Sequence, residues 1–214
     1  MRFDRRISRR SFLAAAGVSA AALALTACGG SSSSSSSAAA SGDAAGSTAA
    51  VEGLKEAFAE SPILLTSGGQ SADYQMIGTV MGKLGMDYTV NNLATSADLG
   101  DAKTLVVVAG GSSKGLGAAG IDADGELARL TELLDGAKEK GLSIIVMHTG
   151  GEARRGDLSD KFIAPCFEKA DYAIVVAAGD SDGLMSGLCA ENGIPMDSIN
   201  SISDVTTVLP AAFK

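Results

Sequence analysis

Tryptophan is absent from the 214-residue chain, and six Phe and three Tyr bring the aromatic content to 4%. There are three cysteines and a single histidine, His148. No apolar run reaches the roughly 20 residues that a membrane-crossing helix needs. Too few cysteines exclude a disulfide-dense miniprotein, and the short apolar runs exclude a multi-span membrane protein. The composition also lacks the repeat of a collagen or a coiled coil. With one histidine, a serine hydrolase would draw all its base chemistry from His148, and neither Ser67, Ser112 nor Ser113 lies in G-x-S-x-G. A G-x-x-x-x-G-K-[S/T] phosphate loop is missing as well. Positive charge is scarce: 17 Lys and Arg stand against 25 Asp and Glu. Five arginines and one aspartate give the first 27 residues +4, so the rest carries −12 of the net −8. Such a chain repels a nucleic-acid backbone, and no nucleic-acid partner is expected.

What is present begins with an address. Ser8-Arg9-Arg10-Ser11-Phe12-Leu13 leads into an Ala-rich apolar run ending at Leu25. A basic region, a short hydrophobic region and a small-residue zone make an export signal over residues 1–27. Arg9, Arg10, Phe12 and Leu13 resemble the twin-arginine translocation signal. Leu25-Thr26-Ala27-Cys28 resembles the lipobox of bacterial lipoproteins, which implies that Cys28 receives a diacylglyceryl group and becomes the first mature residue. Two or three acyl chains anchor stably where one is marginal. The expected location is the extracytoplasmic face of the cell membrane, with the lipid bilayer as a partner through Cys28. Residues 28–50 are almost wholly Ser, Ala and Gly, which bury nothing and read as a disordered tether with a reach of roughly 25 Å.

Residues 51–214 read as one α/β domain. Apolar runs at Pro62–Thr66, Met86–Val90, Thr104–Ala109, Leu142–Met147 and Tyr172–Ala177 predict strands. Helical spacing predicts helices at Asp73–Leu84, Asp122–Lys140, Ser159–Lys169 and Ser181–Asn192. A short edge strand at Ile194–Met196 and a terminal helix at Ile202–Phe213 complete the pattern. The rhythm predicts a three-layer sandwich on a mostly parallel sheet, Rossmann-like or flavodoxin-like in strand order. A ligand would lie beyond the carboxyl ends of the strands.

Four Gly-rich polar loops follow the four best strands. The first contains Ser67, Gly68, Gly69, Gln70, Ser71 and Asp73, and the second Gly110, Gly111, Ser112 and Ser113 followed by Lys114 and Gly115. The third contains His148, Thr149, Gly150, Gly151, Glu152, Arg154 and Arg155, and the fourth Gly179, Asp180 and Asp182. Glycine lets backbone N–H groups approach a ligand, and a helix beginning just beyond favours anions. Ser71, Ser159 and Ser181 are candidate helix caps. Arg154 and Arg155 are two of the three arginines beyond the signal, and a guanidinium fork suits a carboxylate or phosphate. His148 reads equally as a cleft residue or as a bonded histidine under the loops. Gly115-x-Gly117-x-x-Gly120 matches dinucleotide spacing but follows the third strand rather than the first. A metal site from His148, Asp180 and Asp182 lacks a ligand pattern. Cys166 and Cys189 read as reduced, buried thiols. No cofactor is expected.

The stretches T-S-G-G-Q-S-A-D (66–73), G-E-A-R-R-G-D-L-S-D (151–160), A-D-Y-A-I-V-V (170–176) and G-D-S-D-G (179–183) resemble a functionally uncharacterised domain family of bacterial exported proteins. The resemblance implies the fold and export and brings no activity. Three functional readings stay open. The first is a tethered module binding a small organic anion beside an integral membrane transporter or sensor. The second is an extracytoplasmic enzyme using His148 or the strand-end acids. The third is a structural partner in an envelope complex.

Overall fold

The computed structural model describes residues 51–214; the residues read as an export signal, Cys28 and the Ser/Ala/Gly segment lie outside the described residues. Strands β1 (Ile63–Gly68), β2 (Tyr88–Val90), β3 (Thr104–Ala109), β4 (Ser143–His148), β5 (Tyr172–Val176) and β6 (Met196–Ile199) pair in parallel throughout. Their order is β2-β1-β3-β4-β5-β6, the flavodoxin-like alternative extended by one strand. Every residue of β1, β3 and β5 is buried, as the apolar runs of β3 and β5 require of strands covered on both faces.

Alternation along the strands divides the core in two. Leu64, Leu105, Val107, Ile144, Val146 and Val175 face α3 (Ala123–Glu139), α4 (Asp157–Phe167) and α5 (Leu184–Asn192). Ile63, Leu65, Val106, Val108, Ile145 and Ile174 face α1 (Asp73–Lys83) and the carboxyl-terminal segment. In α3 the stripe Leu130, Leu133, Leu134 and Ala137 is buried, at the spacing that fixes one helix face.

Four local expectations are corrected. The Gly-rich stretch after β3 contains a helix, α2 (Ser113–Ala119), with the Ser112 hydroxyl accepting from Gly115 N–H and Gly120 closing it in the left-handed region. The dinucleotide-like glycines therefore lie within and just after α2 rather than at a strand-to-helix turn. The terminal helix is broken into short turns around α6 (Val205–Val208), with Pro210 starting a separate turn. The edge strand begins at Met196, where pairing with β5 becomes continuous. Ser159 and Ser181 are not caps: Ser159 lies inside α4, and the start of α5 is held by Asp180.

Residues 51–60 cross the amino edge of the sheet. Glu52 O accepts from Met196 N–H, Leu54 N–H donates to Asp197, Phe58 meets Tyr172 edge-on at 6.3 Å, and Glu60 bonds Thr104. Ala59 pairs with Phe213, so both ends of the described chain are fastened at this edge.

Candidate functional site

At the opposite, carboxyl edge the strand order turns between β1 and β3, and a cleft of about 850 Å³ opens there. Its walls are the loop after β1 (Gln70, Ala72), the start of α2 (Ser112–Gly115) and residues 153–159, which lead into α4. The loops after β1 and β3 continue the pairing of their strands. Gly110 N–H donates to Gly68 O at 2.8 Å, Ser112 N–H to Gly69 O at 2.9 Å, and Gln70 bridges Gly111. Gly111 N–H is taken by the Ser159 hydroxyl at 2.9 Å, which ties α4 to the same edge.

The loop after β1 is held from within the protein by a buried ion pair. Glu126 is fully buried in α3 and meets Arg129, whose side chain is 7% exposed, at 2.7 Å. Glu126 accepts from Gly69 N–H at 2.8 Å and from Gln70 Nε2 at 3.1 Å, while Arg129 donates to Ser67 O and Ala94 O. Gln70 Nε2 also reaches Asn92 O, and Asn92 returns a bond to Gln70 Oε1 at 2.8 Å. This network holds Gln70 at φ 60°, in the left-handed region that non-glycine residues seldom occupy. A Cβ on Gly115 would lie 1.9 Å from Gln70 O, so that close approach of α2 demands glycine.

The two neighbouring arginines differ. Arg155 is clamped: it pairs with Asp160 at 2.8 Å and with Asp182 at 2.9 Å, and donates to Gly179 O. The guanidinium holds the Asp182 carboxyl down to about 2, and the two carboxylates push Arg155 upward. Arg154 makes one contact through Nε, to Asp73 at 3.1 Å, and its side chain is 38% exposed at the cleft. Lys114, also exposed, stands across from it on α2.

Of the residues singled out from the sequence, Gln70, Gly111, Ser112, Ser113, Arg154 and Arg155 line the cleft. Ser67, Gly68, Gly69 and Ser71 are buried beneath it, and Asp73 sits behind Arg154. His148 is fully enclosed, with Nδ1 3.0 Å from Ala109 O and Nε2 3.2 Å from Gly151 O; a neutral ring donates to only one of them. The sequence left two roles for His148, and the bonded one is what the contacts describe. Thr149 is buried beside it with its hydroxyl unpartnered among the described residues, and Glu152 is exposed. Gly110 packs on Ser71 and Gly150 on Arg154, while Gly179 and the Gly151 carbonyl lie against the histidine ring. Asp180 does not reach the cleft: its carboxylate accepts from Met185 and Ser186 N–H at 2.7 and 3.1 Å. The Gly179–Asp182 loop therefore shares the edge but not the cavity.

Among the described residues, no three of His, Cys, Asp and Glu are disposed to hold a metal ion. Cys166 and Cys189 are free and buried; burial pushes the Cys189 thiol up to about 12 and Cys166 further, so neither is a ready nucleophile. Three features were given no role from the sequence: the charge of Lys114, the start of α4 and the Glu126–Arg129 pair. The last had a signal. Glu126 falls in phase with Leu130, Leu133 and Ala137, which places a charge on the apolar stripe.

The chain belongs to a family described as a domain of unknown function (DUF6305), whose model matches residues 60–213. None of the curated proteins matches the sequence. Among solved structures, a crystal structure of TesA is similar at 14% identity over 63% of this chain and 77% of that one, with a TM-score of 0.29. No activity is carried over from a likeness so distant.

Proposed function

We propose that this is an exported, lipid-anchored domain that binds a small organic anion in the cleft between the loops after β1, β3 and β4, serving an integral membrane transporter or sensor. One observation carries the binding reading: Lys114, Arg154 and the first turns of α2 and α4 line the same cavity. The first-turn N–H groups of Asp157, Leu158 and Ser159 have no carbonyl acceptor within α4. Asp73 takes Arg154 through Nε, and that leaves the paired Nη groups for a bidentate partner. Asp157 stands at the same rim, so the charge match rests on the two cations rather than on a uniformly positive surface. A local cationic site is what an anion requires against a background of −12.

Anchoring is supported by the sequence alone, through Cys28 and the residues before it. The resulting partner is the bilayer itself, on its extracytoplasmic side.

Two experiments test the proposal. A thermal-shift screen of small carboxylates and phosphate esters should find stabilising ligands, and Arg154→Ala should weaken their binding by about 1.5–3 kcal/mol. A screen without hits, or equal binding by the variant, overturns the anion reading. Separately, Cys28→Ala should release the protein from the membrane fraction and abolish lipid labelling; unchanged partitioning overturns the anchor.

A further inference from the structure

A second hollow of about 330 Å³ adjoins the cleft and shares Gln70, Ala72 and Gly115 with it. The rest of its wall comes from Tyr74 and Gln75 of α1, Asn92 and Leu93 after β2, and Ala118 and Ala119 of α2. The chemistry changes across the junction. Lys114, Arg154 and Asp157 stand on the cleft side, and no charged side chain lines the second hollow. Its amides are already engaged: Asn92 and Gln70 bond each other, and Gln75 Nε2 donates to Tyr74 OH at 3.3 Å. What remains to be covered is apolar. Leu93 is 36% exposed, one of the few large apolar side chains that the fold leaves uncovered.

The ridge between the two hollows is low for a steric reason. Gly115 packs directly on Gln70 O, Ala72 beside them contributes only a methyl group, and the Gln70 side chain is turned away to Glu126 and Asn92. No long side chain therefore stands between a molecule in the cleft and the second hollow.

We infer that the two hollows form one bipartite site for an organic anion with a ring-sized apolar body. The charged group pairs with Arg154 and Lys114, and the body covers Leu93, Tyr74 and Ala118. This rests on the anion reading above and narrows its ligand to a class: aryl or branched-alkyl acids rather than small hydrophilic anions. Burying the apolar body removes both its own surface and that of Leu93 from water, which a ligand such as acetate cannot do.

The test is a titration of the full chain with acetate, which has the charge alone, and phenylacetate, which has charge and ring. Phenylacetate should bind at least about tenfold more tightly, the scale of one ring face transferred from water. Ala118→Trp fills the second hollow from an exposed helix position and should abolish the advantage of phenylacetate while leaving acetate binding intact. Leu93→Ser, also at an exposed position, should reduce the advantage without filling anything. Arg154→Ala should weaken both ligands. Equal affinity for the two anions, or an advantage that survives Ala118→Trp, overturns the bipartite site and leaves the anion reading standing. Binding of neither anion overturns the bipartite site, and a phosphate-ester screen that is also without hits overturns the anion reading with it.

Discussion

Arg155, at the end of the loop after β4, closes on the loop after β5, whereas the loops after β1 and β3 are fixed from within the protein and stay open, with Arg154, at the cleft. On the β5 side, Arg155 joins Asp160, Asp182 and Gly179 O, and Asp180 holds the start of α5. Its polar groups are directed at one another. On the β1 side, Glu126 and Arg129 satisfy the backbone from within the core, which leaves the cleft face to Lys114 and Arg154. Two adjacent arginines thus have different work, and the difference lies in their neighbours. Arg155 has two carboxylates within 3 Å, and Arg154 has one on a single nitrogen. Glycine-rich composition at a strand end is compatible with either arrangement. Where the hydrogen bonds go decides between a closed loop and a receptive one.

The contrast is sharpest at Glu126. Glu126→Ala strands the buried Arg129 charge and two donors of the loop after β1, and should cost about 3–5 kcal/mol in urea unfolding. A loss below about 1 kcal/mol would show that the loop is held by something else. Arg155→Ala should cost less, about 1 kcal/mol, because Asp182 is 59% exposed and solvent screens the pair. Its signature is in pH. Asp182 is held below its ordinary value of 3.8, at about 2, so the pair's stabilisation is complete above about pH 4 and is lost as pH falls towards 2. The variant should lack that decline, and identical pH curves would break the clamp reading. The smallest effect belongs to Arg154→Ala, which should leave stability within about 0.5 kcal/mol while weakening ligand binding. A large stability loss there would erase the distinction between the two arginines.

Much of the fold was legible. Leu105–Ala109 and Ala173–Val176 are Val- and Ile-rich apolar runs without polar interruption, the pattern of a strand buried on both faces. The strand order was not legible, since it depends on which face each crossover packs against and not on the strands themselves. Helix α2 was hidden because Gly115 and Gly117 lower helical propensity; the Ser112 cap and the close contact with Gln70 override it. At the site, Gln70, Ser112 and Arg154 were recognisable as strand-end polar residues. Their partners were not, because the bond from Glu126 to Gly69 spans 57 positions and the contact from Arg154 to Asp73 spans 81. Lys114 was given no role as one residue of a Gly-rich polar loop, although the first turn of a capped helix gives it a fixed place.

The strap formed by residues 51–60 determines which way the cleft looks. It meets the sheet at the starts of β3, β5 and β6, which lie at the edge opposite the cleft. The described chain therefore begins on the face opposite the cleft, and the mouth of the cleft looks away from residue 51.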